Sequence, residues 1–288
     1  MQNNILVLMN IGIFNYLFGT KAITEEGIRD FVDDNNAKRI CFSRIQTHAL
    51  WKTDEGEDMI TVPFGDSIGL LLKEQTGIVL RKSSKGKYYK KLTQEEYEKV
   101  KSFVGSYANV VFLRDLLDAS VALSLNFESD GETRTHIGQL EKSAKYDNDE
   151  NAVEELAAVV DEFIGNNPLY ANADYLCAVP PTKADEKNLP VRIIEKLKNF
   201  KGSNVSDSIV WTSKTESLKN AEVADKLEIL KHSGLEIAEG VDLEGKDIVL
   251  LDDLYMSGIT LQYVAMRLKE AGAGKVYGLC LVKSFGNK

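Results

Sequence analysis

The chain has 288 residues, enough for two domains of ordinary size, and its 43% hydrophobic and 27% charged residues are the balance of a globular protein with a sizeable core. A formal charge of −9 weighs against a nucleic-acid backbone as the main partner. Cys41, Cys177 and Cys280 lie far apart with no Cys-x-x-Cys, which excludes a zinc ribbon and predicts buried thiols in a reducing compartment.

From the start of the chain, Ile5–Phe18 is apolar but short. It is broken by Asn10 and Asn15, with no basic residue before it. It reads as a core strand or strand-turn rather than a membrane span or signal peptide, and a cytoplasmic location is expected. Ile5–Leu8, Arg39–Phe42, Met59–Val62 and Gly77–Leu80 read as short strands. Thr24, followed by Glu25 and Glu26, opens a helix to about Val32. Arg81, Lys82, Lys85, Lys87, Lys90 and Lys91 surround Tyr88 and Tyr89. A solvated hairpin is the favoured reading of that stretch, with nucleic-acid contact as the alternative. Thr93-Gln94-Glu95-Glu96 is a capping box that opens a helix to about Val104. Val110–Leu125 is largely apolar, interrupted by Arg114, Asp115 and Asp118. The first half is thus α+β or α/β, of no recognised type and with no catalytic constellation. The polar run Glu128–Thr133 is the best candidate linker, dividing the chain into 1–130 and 135–288.

The second half alternates regularly. Ile137–Tyr146 leads into a helix over Asn151–Ile164, with Val153, Leu156, Ala157, Val160, Phe163 and Ile164 on one face. Strands are expected at Tyr175–Val179, Ser208–Trp211, Ile248–Leu251 and Lys275–Val282. Helices are expected at Pro190–Phe200, Ala221–Leu230 and Thr260–Ala271, the last stopped by Gly272. Strands and helices in alternation, with apolar strand runs, predict an α/β fold: a mostly parallel sheet with helices on both faces. Gly272-Ala273-Gly274-Lys275 follows a helix and precedes a strand, the reverse of what a dinucleotide loop requires.

The segment from Ile248 to Leu261 carries the chemistry. A four-residue apolar strand ends in Asp252 and Asp253, followed by the small-residue loop Leu254-Tyr255-Met256-Ser257-Gly258-Ile259-Thr260 and a helix. A loop opening into a helix presents free backbone N–H groups and the positive end of the helix dipole, which suit a phosphate. Two carboxylates beside it can accept hydrogen bonds from vicinal ribose hydroxyls. A solvated strand end is the plain alternative for the acid pair alone.

This segment resembles the phosphoribosyl pyrophosphate (PRPP) motif of type I phosphoribosyltransferases, and Asp-Asp-Leu-Tyr is closest to the ComF-like branch. Three further segments lie in that family's order. Gly138–Asp147 is similar to its first helix, with a Lys-Tyr pair before an acidic turn. Val179–Asn188 stands where it has a pyrophosphate loop, and Trp211–Lys219 where it has a mobile loop. The resemblance covers roughly Thr135 to Lys288. It implies a phosphoribosyltransferase-type sheet, PRPP as ligand and Mg2+ as cofactor. It also implies that Met256 to Thr260 hold the 5′-phosphate and that Asp252 and Asp253 face the ribose, touching the metal only through it. By the same resemblance Pro181, Thr182, Lys183 and Lys187 lie at the pyrophosphate, and Lys214 joins the two acids in catalysis when its loop closes. Departures are a missing cysteine zinc module, Met256 where the family has Thr, and few cations in the mobile loop. Met256 cannot transfer a proton, which disfavours hypoxanthine–guanine salvage, and Ser284–Lys288 leave little for a hood over the base unless first-half residues supply it.

Three functions follow in order. The first is Mg2+-dependent transfer of phosphoribose to an unidentified acceptor, a nucleobase or related nitrogen compound. The second is a non-catalytic PRPP or nucleotide sensor coupled to the first half. The third, implied by the ComF resemblance, is DNA uptake, DNA handling or genome defence, which the net charge disfavours. A homo-oligomer or a partner protein is compatible with all three, and no membrane association is expected.

Overall fold

A computed structural model describes residues 22–44, 49–181, 188–213, 221 and 223–286. In chain order the first elements are α1 (Glu25–Asp33), β1 (Arg39–Cys41), β2 (Leu50–Lys52), β3 (Asp58–Val62) and α2 (Ser67–Thr76). There follow β4 (Arg81–Lys82), β5 (Tyr88–Lys91), α3 (Gln94–Ser106), β6 (Val111–Leu113) and β7 (Ala119–Leu125). The second half contains α4 (His136–Tyr146), α5 (Glu150–Asn166), α6 (Pro168–Ala171), β8 (Tyr175–Ala178), α7 (Leu189–Ile194), β9 (Ser203–Asn204) and β10 (Ile209–Trp211). It closes with α8 (Val223–Ser233), β11 (Leu235–Ile237), β12 (Ile248–Tyr255), α9 (Ile259–Glu270) and β13 (Val276–Lys283).

The helix starts follow from capping chemistry. Thr24 accepts from the Gly27 N–H at 3.0 Å, and Thr93 and Glu96 satisfy each other's backbone N–H groups in a complete capping box. All six apolar residues expected on one face of α5 are buried. The strand expected at Gly77–Leu80 is not formed. Gly77 has φ 75° and caps α2, so the apolar run that precedes it is a helix and the strand begins later, at Arg81. The helix expected over Pro190–Phe200 is also shorter, ending at Ile194. Ile5–Leu8 and the rest of Ile5–Phe18 lie outside the described residues.

The central sheet has the order β1-β6-β7-β13-β12-β8-β9. From β7 to β9 every neighbouring pair is parallel, while β6 and β1 are antiparallel additions at one side. The fold is therefore α/β with a mostly parallel sheet. Successive strand residues alternate between two cores. Val249, Leu251, Leu279 and Leu281 face Leu156, Val160 and Ile164 of α5 and Ile193 of α7. Ile248, Leu250 and Cys280 face Leu261, Val264 and Leu268 of α9, with Leu227 of α8 and Ile28 of α1. All three cysteines are buried and unpaired. No helix among the described residues is long and apolar enough to cross a membrane.

The division at residues 128–133 does not coincide with a break in the sheet. That run is a turn, closed by hydrogen bonds from Glu128 to Thr133 and from Gly131 to Glu128. Just before it β7, a first-half strand, lies between β6 and β13 and is buried along its whole length. The polarity of the run reflects a solvated turn, which composition does not distinguish from a linker. A second, four-stranded antiparallel sheet, β2-β3-β5-β4, lies wholly in the first half. Its Ile60 and Val62 join the same core as α2, α3 and Val121 of β7. β10 is not in the central sheet but pairs with β11 in a two-stranded ribbon, and the edge place is taken by β9. A chain truncated to residues 135–288 would leave β13 without β7. It is expected to show no cooperative thermal transition by circular dichroism, whereas the full chain melts in one. A sharp transition in the truncated chain would establish an autonomous second domain.

Candidate functional site

The order of connections places a crevice between β8 and β12. From β8 the chain moves outward through α7 to β9, while from β12 it moves the other way through α9 to β13. Right-handed crossovers in opposite directions put α7 and α9 on opposite faces, and the two helices belong to opposite cores. Strand tips at such a switch point splay apart, and in open α/β sheets ligands bind there.

The pairing register shows where the crevice opens. β8 and β12 pair from Tyr175 and Ile248 to Ala178 and Leu251, closed by the Val179 N–H to the Leu251 carbonyl at 2.8 Å. β12 then continues through Tyr255 with β13 as its only strand neighbour among the described residues. Asp252, Asp253 and Leu254, all half-buried, occupy this one-sided stretch. β12 is longer than its four apolar residues, Ile248–Leu251, because pairing with β13 continues to Tyr255.

The two acids have different surroundings. Asp253, with a side chain 19% exposed, is bridged by the Lys145 ammonium of α4, which also lies 3.7 Å from Glu141 one helical turn earlier. Burial pulls Lys145 toward neutrality, but Asp253 and Glu141 outweigh it and its pKa is raised. Glu141 is nearly fully buried, and burial holds its carboxyl above the usual range. Asp252 accepts from the Asp253 N–H at 2.9 Å. Burial, reinforced by the neighbouring Asp253 charge, pushes its carboxyl up from 3.8 to about 7.

The loop after the acids is shaped from beneath. Gly258 has φ 76° and caps α9 without a side-chain hydrogen bond, so the first N–H groups of that helix lack intrahelical acceptors. A Cβ on Gly258 would lie 2.2 Å from the Tyr255 hydroxyl. The glycine is thus needed for its φ and for Tyr255, not only to let a phosphate approach the backbone. Tyr255 itself is 3% exposed and points into the core, where its hydroxyl donates to Asp115 at 3.3 Å. Asp115 also accepts from the Leu117 N–H and the Ser120 hydroxyl, each at 3.0 Å. Gln262 completes the network: its carbonyl accepts from the Leu116 N–H at 3.2 Å and its amide donates to the Gly258 carbonyl at 3.2 Å. A first-half loop therefore anchors the loop at the head of α9.

Among the residues expected at the site, Asp252, Asp253, Leu254, Ser257 and Thr260 are half-buried at or beyond the open end of β12. Met256 is exposed at its tip, while Tyr255 and Ile259 are buried and contribute backbone only. Pro181 is half-buried at the end of the chain leaving β8, next to Pro180, whose carbonyl accepts from the Trp211 indole at 3.1 Å. Thr182, Lys183, Lys187 and Lys214 lie outside the described residues. The sequence reading did not place Lys145, Asp115 or Gln262 at the site. The signals in the sequence were the Lys145-Tyr146 pair of the first helix, its i, i+4 Glu141-Lys145 spacing, and an acid, Asp115, inside an apolar run. Among the described residues no three His, Cys, Asp or Glu side chains gather as a metal cage.

No known family profile matches the chain, and no curated protein sequence matches it. Its fold is similar to that of solved phosphoribosyltransferases. A hypoxanthine phosphoribosyltransferase from Staphylococcus aureus aligns with 11% identity and a TM-score of 0.32, over 46% of this chain and 64% of that one. A hypoxanthine-guanine phosphoribosyltransferase from Bacillus anthracis aligns with 13% identity and a TM-score of 0.28, over 51% and 68%. A hypoxanthine-guanine-xanthine phosphoribosyltransferase aligns with 14% identity and a TM-score of 0.29, over 53% and 66%. The chain thus spans about two thirds of the length of these enzymes. At such scores the likeness carries no functional weight, and the chemistry rests on the geometry at Asp252–Thr260.

Two outcomes follow. An acid whose pKa is raised on folding binds its proton more tightly in the folded state. Stability is then lost as pH rises from about 4 through about 7. Asp252→Asn keeps the acceptor for the Asp253 N–H and removes that loss. Thermal melts should show the variant more stable than the parent by about 1–2 kcal/mol at pH 8, and equal to it near pH 4. Gly258→Ala introduces both a strained φ and the clash with Tyr255, and should cost about 1–3 kcal/mol in the same melts.

Proposed function

We propose that the chain binds PRPP at the open end of β12 and transfers its phosphoribosyl group to a nitrogen nucleophile, a nucleobase or related compound. The observation that carries this reading is the continuity of one short segment. Two half-buried acids on a one-sided strand run directly into a glycine-capped loop and the uncapped head of a helix. That order supplies acceptors for the two ribose hydroxyls and, about one loop away, N–H donors for the 5′-phosphate. The resemblance of this segment to the PRPP motif, and of Asp-Asp-Leu-Tyr to the ComF-like branch, supports the same reading.

In the reaction, the bond from the anomeric carbon to the pyrophosphate oxygen breaks and a bond to the acceptor nitrogen forms. Positive charge builds on the sugar ring, where Asp253 and the ionised fraction of Asp252 stabilise it. Lys145 fixes the Asp253 carboxylate and keeps the acid pair from repelling each other without compensation. The hydroxyls of Ser257 and Thr260 complete the phosphate cradle. Mg2+ would enter with the substrate, and Asp252 and Asp253 would face it only through the bound ribose. Bound there, it would neutralise the leaving group. Lys183, Lys187 and Lys214 belong to the proposal as further cations for the pyrophosphate.

A second reading has its own support. Asp115 and Gln262 tie the phosphate loop to the β6–β7 loop, a link through which occupancy of the site would be felt in the first half of the chain. A sensor that reports PRPP or a nucleotide through that link needs no catalysis. Calorimetry with PRPP and Mg2+, followed by a pyrophosphate-release screen across bases, separates the two: both readings expect binding and only the first expects release. Changing Asp252 and Asp253 together to Asn should weaken PRPP binding at least a hundredfold, about 2.7 kcal/mol, while the protein still melts cooperatively. Unchanged affinity in that variant would make the acid pair structural and remove both readings.

A further inference from the structure

The antiparallel sheet of the first half has one face in the core and one in solvent. Leu50, Ile60 and Val62 belong to the core side. The register pairs Trp51 with Met59 and Met59 with Lys91, and pairs Thr61 with Tyr89 and Tyr89 with Arg81. Strand alternation therefore puts these six side chains together on the outer face. Trp51 is 44% exposed and Tyr89 37% exposed. The Trp51 indole donates to the Thr61 hydroxyl at 3.1 Å, which lays it along the sheet rather than leaving it free to swing. Two aromatic rings thus stand on β2 and β5, one strand apart across β3, about 10 Å from each other in the pairing direction.

Cations line the Tyr89 end of the platform, while the β2–β3 turn at the Trp51 end carries Asp54, Glu55 and Glu57. The turn from β4 to β5, closed by the Ser83 N–H to the Lys87 carbonyl at 2.7 Å, carries Lys85 and Lys87. Among the described residues, Arg81, Lys85 and Lys87 make no ion pair, while Lys91 is held by Glu57. Exposed aromatic faces are costly to leave bare, and unpaired cations at their margin select an anion. The ligand with flat apolar faces at short intervals and one negative charge per unit is a single-stranded nucleic acid. A duplex hides its base faces and cannot use the rings.

We infer that the outer face of β2-β3-β5-β4 is a docking surface for single-stranded nucleic acid, with bases stacked on Trp51 and Tyr89 and phosphates met by Arg81, Lys85 and Lys87. Stacking on the rings and charge at the phosphates are available to DNA and RNA strands alike, so the surface does not select the sugar. The surface is independent of the crevice at Asp252 and Asp253. It accommodates the acidic net charge because the cations are local, and this makes binding weak and salt-sensitive.

The test is fluorescence anisotropy of the full chain with labelled dT15, rU15 and a 15-base-pair duplex at 50 and 200 mM salt. The two single strands should bind equally, at least tenfold tighter than the duplex. Three phosphate contacts predict a loss of about twentyfold between the two salt concentrations. Trp51→Ala with Tyr89→Ala should weaken dT15 at least tenfold, and Arg81→Glu with Lys87→Glu should abolish binding, with melting temperatures retained because all four side chains are solvent-facing. In a Trp211→Phe background Trp51 is the single tryptophan, and its fluorescence should be quenched by dT15. Absence of binding at 50 mM salt, equal affinity for duplex, or full affinity in the Trp51–Tyr89 variant would overturn the inference. So would a dimer in sedimentation velocity that these same substitutions dissociate, since the face would then belong to a second copy of the chain.

Discussion

Everything at the candidate site depends on β8 stopping before β12 does. Pairing between them ends at Ala178 and Leu251, and β12 runs on to Tyr255 with β13 as its only strand neighbour among the described residues. Two acids could not sit between two strands of a closed sheet without strong desolvation and mutual repulsion. On a one-sided strand each keeps some water. The rise in the Asp252 pKa measures the burial that remains, and Lys145 offsets the other charge. The chain leaves β8 through two prolines, and Pro181 has no N–H with which to continue the ladder.

A second constraint lies under the loop. Tyr255 fills the space where a Cβ of Gly258 would be, and Asp115 holds the tyrosine hydroxyl. A buried carboxylate with several donors is stable only as a complete set, since one missing partner leaves a desolvated charge. The loop at the head of α9 is therefore shaped by residues more than a hundred positions earlier. The same hydrogen bonds tie the first half of the chain to the head of α9. They also explain why the two halves share a core: β7 and the β6–β7 loop are at once the middle of the sheet and the floor of the site.

The first half is better described as two additions to that sheet than as a separate module. β1 and β6 extend it antiparallel, and the four-stranded sheet packs through Ile60 and Val62 onto the same apolar cluster as α2 and α3. Its outer face leaves Trp51 and Tyr89 uncovered, with Arg81, Lys85 and Lys87, which make no ion pair among the described residues, at one end and the acidic β2–β3 turn at the other.

Local signals in the amino-acid sequence were enough for the helix starts at Thr24 and Thr93, the buried face of α5, the apolar β12 with acids at its end, and the glycine stop after α9, because each rests on neighbours within a few residues. Where a run was apolar but short, as at Gly77–Leu80, composition alone did not separate a strand from the cap and exit of a helix. The tertiary structure alone determined which strands are neighbours. It put β7 beside β13, displaced β10 into a ribbon with β11, and turned the polar run at 128–133 into a turn within one sheet. It also brought Lys145 to Asp253 and Asp115 to Tyr255, pairs separated by more than a hundred residues. Contacts of that range depend on loop closure and on how two faces of a sheet share their helices, and no composition, spacing or cap in the chain encodes them locally.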